Sequence, residues 1–164
     1  SNLNQFWNFS QTGQAPQPPS PPPAPKWVNF TGSYSGVISG GKLGRNTIYV
    51  CRANHRGGWH PGKSLRSQCY IAYGGRELTK SIATGRWNRS SGFQVLKGAG
   101  LKWVPFNRSY RDAVKGGKEG SRILYVCRTK YYNTWFLGKS FRNKCFFGYG
   151  GRERSTRSFQ ILVQ

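Results

Sequence analysis

The stretch from Trp27 to Glu77 recurs without a gap from Trp103 to Glu153: with position n laid on n+76, 24 of 51 positions are identical. Two copies are too few for a solenoid, where several stacked units share a continuous core. A pair of units related by a pseudo-two-fold axis and burying one core is expected instead. The boundaries place a first unit at 27–102 and a second at 103–164, with 27–164 forming one compact domain. That size matches two units of about 75 residues. Residues 1–26 stand apart. Seven of the nine prolines lie between Pro16 and Pro25, which predicts a stiff polyproline II spacer rather than a core-forming segment.

Inside the units the pattern is β. Thr47–Cys51 and Cys69–Tyr73 are short, β-branched and aromatic, and their counterparts Ile123–Cys127 and Cys145–Tyr149 match them. Gly40-Gly41 and Gly74-Gly75 return as Gly116-Gly117 and Gly150-Gly151, marking turns that favour a positive φ. Phe93–Leu96 and Phe159–Leu162 close the two units as further strands. The first unit carries ten extra residues around Lys80–Ser91, read as a surface loop. No helix-length segment shows a 3.6-residue period. The expectation is an all-β, sandwich-like pair of repeats stapled by disulfides.

Cys51 and Cys69 are 18 residues apart, as are Cys127 and Cys145. The first copy alone offers a zinc-like set, Cys51, His55, His60 and Cys69. The second copy keeps both cysteines and carries Tyr131 and Phe136 in place of the histidines, which argues against a metal and for disulfides. Pairing within each repeat is favoured, with Cys51–Cys145 and Cys69–Cys127 as the rival. Such bridges imply an oxidising compartment. Four N-x-[ST] sequons, at Asn8, Asn29, Asn88 and Asn107, point toward secretion and glycosylation. So do an opening Ser and the lack of Met, as after removal of a signal peptide. No run of 18 apolar residues is present, so no transmembrane helix is expected.

Lys and Arg number 26 against four acids, a formal net charge of +22. The cations are spread over both units, so the partner expected is a polyanion: an acidic or sulfated glycan, nucleic acid or anionic lipid. No nucleic-acid motif accompanies the charge. Glycoside hydrolysis needs two neighbouring carboxylates, and only one acid position is shared by both copies, as Glu77 and Glu153, so an enzyme is not expected. These two acids are read as partners of Arg52/Arg128 or Arg76/Arg152. No cofactor is implied.

Ile48–His55, His60-Pro61-Gly62-Lys63, Cys69–Glu77 and the strand Phe93–Leu96 together resemble the DM9 (DM-nine) repeat, and the resemblance covers nearly all of 27–164. It implies a secreted recognition module similar to the mannose-binding lectins of bivalve molluscs, which act in innate immunity, and to modules of the fish-venom natterins. In that family an Asp of an A-G-x-D turn and the Lys of P-G-K hold sugar hydroxyls. The lysine corresponds to Lys63 and Lys139, and the acid position is read as Lys42 and Lys118. An ammonium only donates hydrogen bonds, so this reading favours anionic glycans over neutral mannose. Trp59 and Trp135 are candidates to stack on a sugar ring, and Arg66 and Arg142 to extend a cationic groove. The alternative is a structural extracellular matrix or adhesive protein, bound to matrix proteins or polyanions through cation–π contacts. A homo-oligomer is left open.

Overall fold

The computed structural model describes residues 13–82 and 92–164. The sequons at Asn8 and Asn88 and most of the expected Lys80–Ser91 loop lie outside the described residues. The first repeat contributes β1 (Lys26–Asn29), β2 (Ser39–Leu43), β3 (Asn46–His55), β4 (Gly58–Leu65), β5 (Gln68–Tyr73), β6 (Arg76–Ser81) and β7 (Gln94–Lys97). The second contributes β8 (Lys102–Pro105), β9 (Lys115–Glu119), β10 (Arg122–Tyr131), β11 (Thr134–Phe141), β12 (Lys144–Tyr149), β13 (Arg152–Thr156) and β14 (Gln160–Val163). The fold is all-β, and no helix appears among the described residues.

All fourteen strands belong to one antiparallel sheet, in the order β1-β7-β3-β4-β5-β6-β13-β12-β11-β10-β14-β8, with β2 beside β3 and β9 beside β10. The order reads the same from either end once each strand is exchanged for its repeat partner. At the centre Arg76 pairs with Arg152, its own equivalent. Glu77 N donates to Gly151 O and Glu153 N to Gly75 O, each at 3.0 Å. This is the reciprocal pattern of an isologous two-fold contact, made here within one chain. Local structure obeys the same symmetry: β3 and β10 share one pattern of burial and exposure along their length, as do β2 and β9.

Short turns explain how so many strands follow one another. Arg66-Ser67 and Arg142-Asn143 take positive φ at both residues, between 50° and 63°. Gly74-Gly75 and Gly150-Gly151 do the same. Such two-residue turns match the twist of the strands they join. The Ser67 and Asn143 amides each donate at 3.0 Å to a tyrosine hydroxyl, Tyr34 and Tyr110.

The faces of β3 and β10 alternate between two kinds of core. Cys51 and Ala53 belong to a core within the first repeat, with Phe30, Ile71, Phe93 and Val95, and Cys127 lies in its counterpart in the second. Ile48, Val50 and Val126 instead join Leu96, Val114, Leu137 and Leu162 in a core drawn from both repeats. The disulfides are Cys51–Cys69 and Cys127–Cys145, within repeats. Each closes a loop worth about 3 kcal/mol in the chain-entropy account.

Glycine lets the two halves close on one another. A Cβ at Gly40 would lie 2.4 Å from the Leu137 side chain, and one at Gly116 would lie 2.2 Å from Pro61. The contacts on either side are reciprocal. Trp27 Nε1 donates to Lys115 O and Trp103 Nε1 to Ser39 O. Arg52 donates to Gly116 O and Arg128 to Gly40 O. Residues 15–25 of the proline-rich segment form no strand, but they touch the body: Pro25 and Pro22 lie beside Gly98 and Gly100, and Gln164 donates to Pro23 O at 2.9 Å.

Candidate functional site

Lys63 and Lys139 sit in the middle of β4 and β11, facing Val50 and Val126 across the ladder. Both are buried, 8% and 3% exposed, because both faces of their strands are covered. Each reaches a site that mixes the two repeats. Lys63 Nζ donates to Gly148 O at 3.0 Å, lies 3.5 Å from Glu77 Oε2, and stands 4.4 Å over the Phe136 ring. Lys139 Nζ lies 3.1 Å from His60 Nδ1, 3.7 Å from Glu119 Oε2 and 5.4 Å from the Tyr73 ring centre.

Burial dominates the electrostatics. It holds both ammonium groups below the ordinary lysine pKa, opposed by Glu77 at Lys63 and by Glu153 and Glu119 at Lys139. His60, fully buried and beside the Lys139 charge, is pushed down to about 4 and is neutral at pH 7. Its Nδ1 therefore accepts from the ammonium and its Nε2 carries the proton. That Nε2 has no hydrogen-bond partner among the described residues. His55, in edge contact with Tyr73 at 4.6 Å, is also shifted down, first by burial and then by Lys80, Arg56 and Lys139.

Lys42 and Lys118 are exposed. In a strand successive side chains point to opposite faces, and it is the next residue that turns toward the lysine. Glu119 meets Lys139, and Leu43 lines the cavity that Lys63 also lines. The acid position facing the lysine is thus one residue beyond the sequence reading. The second repeat has a carboxylate there, Glu119, and the first has Leu43.

Trp59 and Trp135 lie on the inter-repeat clasp. Arg52 is held between Trp27 and Trp59, 4.6 and 4.8 Å from their ring centres, and Arg128 between Trp103 and Trp135 at 4.8 and 4.0 Å. Desolvation there lowers the Arg52 pKa to about 10 and shifts Arg128 the same way. These arginines bond Gln94 and Gln160, each at 2.8 Å, rather than the acids expected. Glu77 turns to Lys63 instead, and Glu153 accepts from the Gly75 amide at 3.3 Å. Arg66 and Arg142 project exposed from the β4–β5 and β11–β12 turns. Asn29 and Asn107, the two sequon asparagines among the described residues, are exposed.

Comparisons with known proteins bear on the family and the fold. The DM9 repeat family matches residues 42–156. No curated protein sequence matches. Among solved structures, the crystal structure of the nematode sperm cell motility protein MFP2B is similar, with a TM-score of 0.64 and 19% identity. The likeness covers 89% of this chain and 48% of that one, so this chain spans about half the length of its structural neighbour. At that identity the likeness is one of fold. No helix among the described residues is long and apolar enough to cross a membrane. The family match spans most of the chain and takes in both lysine sites, and the chain belongs to the DM9 repeat family.

Proposed function

We propose that this protein is a secreted, lectin-like carbohydrate-binding module that gathers anionic glycans and grips their hydroxyls between Lys139 and Glu119. The observation that carries the reading is that donor–acceptor pair. The Lys139 ammonium is fixed by its surroundings, and the Glu119 side chain, 39% exposed, stands 3.7 Å away at the surface. A diol is both donor and acceptor, which suits an ammonium and a carboxylate side by side. At the same ammonium Tyr73 supplies a ring face and the neutral His60 an in-plane acceptor, Nδ1, neither adding charge. Lys42, Lys118, Arg66 and Arg142 belong to the wider cationic surface, where sulfate or carboxylate groups are held by screened attraction, while Lys63 is buried. The disulfides and the exposed Asn29 and Asn107 support an extracellular setting.

The cation–aromatic pairs Arg52–Trp59 and Arg128–Trp135 are internal, so they lend nothing to an adhesive role. The test is binding to immobilised heparin and to mannan at about 0.15 M and 1 M NaCl. Heparin should bind at the lower salt and be lost at the higher. Glu119→Gln and Lys139→Met should each weaken binding about tenfold, equivalent to roughly 1.4 kcal/mol. Unchanged binding by the Glu119→Gln variant would show that charge alone is at work and sink the site.

A further inference from the structure

The pseudo-two-fold axis that relates Lys139 to Lys63 does not relate their surroundings. Around Lys139 stand His55, Arg56, His60 and Glu119; at the equivalent places around Lys63 stand Tyr131, Tyr132, Phe136 and Leu43. A tyrosine, Tyr73 or Tyr149, and a glutamate, Glu153 or Glu77, are kept at both. Leu43, Lys63, Tyr131, Tyr132, Phe136 and Tyr149 line a cavity of about 330 Å³, within the range of small-molecule sites.

Its rings form a continuous aromatic wall. Tyr131 lies 4.5 Å from Tyr132 and 5.4 Å from Tyr149, and Phe136 lies 5.3 Å from Tyr149, centre to centre. Tyr132, 77% exposed, and Tyr149, 36% exposed, are the exposed large hydrophobic side chains among the described residues, and both belong to this cavity. Exposed aromatic surface gathered at one concave place marks a binding site more than a packing remainder.

We propose that this cavity binds a small aromatic carboxylate, a ligand class distinct from the glycan assigned to the Lys139 site. The aromatic wall fits a planar ring by edge and face contacts. Leu43 stands where the other site offers the exposed Glu119 carboxylate to a sugar hydroxyl. Thr134 and the tyrosines add hydroxyls to the lining, and its cation is Lys63, whose ammonium donates to Gly148 O and meets Glu77, leaving a third N–H for an acceptor. A cationic ring would suit the tyrosines but would meet Lys63 in the wall. It would also meet the Arg154 guanidinium, 5.7 and 5.4 Å from the Tyr131 and Tyr149 rings, and a chain of net charge +22. An anion meets the opposite field.

The test is calorimetric titration with 2-naphthoate, 2-naphthylmethanol and trimethyl(2-naphthyl)ammonium in about 0.15 M NaCl. One equivalent of 2-naphthoate should bind, more tightly than the alcohol and at least tenfold more tightly than the ammonium. Tyr132→Arg and Leu43→Glu copy the residues of the other site. Each should weaken naphthoate about tenfold, and Tyr132→Arg should keep the thermal midpoint, since Tyr132 is exposed. Tyr132→Arg should leave heparin binding intact, which separates failure of this site from failure of the glycan site. Absence of naphthoate binding would overturn the assignment. So would multiple weak sites indifferent to both variants, or equal affinity for the ammonium.

Discussion

His60 is the residue on which acid should act. Its imidazole is wholly buried, and its pKa lies near 4 in the fold against about 6.5 when unfolded. Above pH 6.5 both states are neutral and folding carries no proton penalty. As the pH falls from 6.5 toward 4 the unfolded chain takes up the proton first, so stability declines, by up to roughly 3 kcal/mol. His60→Phe, which copies Phe136 of the second repeat, should remove that part of the pH dependence. Thermal midpoints at pH 7.5 and 4.5 for the two proteins measure it, and equal acid losses would show that His60 does not titrate as the fold requires. The sequence singled out Lys63 and Lys139 by their retention in both copies, but not their burial. That burial comes from a second layer of strands supplied by the other repeat, which no local pattern encodes. That Leu43 and Glu119, rather than Lys42 and Lys118, face the lysines was not legible for a related reason. The ladder shifts register beside the glycines, between Ser39 and Gly41 in one repeat and Leu124 and Tyr125 in the other, and a shift of one exchanges the two faces of a strand.

At the scale of the element, the strands β4 and β11 are where repetition and sterics meet. Gly62 and Gly138 precede the two lysines, and a Cβ on either would lie 1.9 Å from a backbone carbonyl oxygen, that of Tyr70 or Phe146. Backbone in a ladder cannot retreat as a side-chain tip can. Gly62→Ala should therefore cost several kcal/mol, more than the ~1 kcal/mol spread of ordinary strand substitutions. Urea unfolding gives the value, and a midpoint unchanged from the parent would refute the close approach. The turns at Gly74-Gly75 and Gly150-Gly151 and the Cys51–Cys69 and Cys127–Cys145 spacings were readable because they are local constraints met twice. Gly40-Gly41 and Gly116-Gly117, read as turns, lie instead within β2 and β9 at the register shift. The work of Trp59 and Trp135 was not readable, since an indole that holds an arginine and one that holds a sugar look the same in a sequence. What separates them is Arg52 and Arg128, placed on the neighbouring strands only by the fold.

For the whole molecule, the shared core of Ile48, Val50, Leu96, Val114, Val126, Leu137 and Leu162 makes each repeat incomplete without the other. The 76-residue offset announced the pairing but not the single sheet or its palindromic order, which depend on β6 meeting β13. The contact between Gln164 and Pro23 has a topological consequence. The first repeat passes to the second through four residues, Gly98–Leu101, between the end of β7 and the start of β8. Symmetry then sets the gap from the end of β14 to the start of β1 at about the same span, so the body is a ring cut at one of two equivalent joints. A circular permutant that begins at Lys102, joins Val163 to Lys26 through Gly-Ala-Gly-Leu and ends at Lys97 keeps every strand pair. It should fold with both disulfides and a thermal midpoint within a few degrees of the parent.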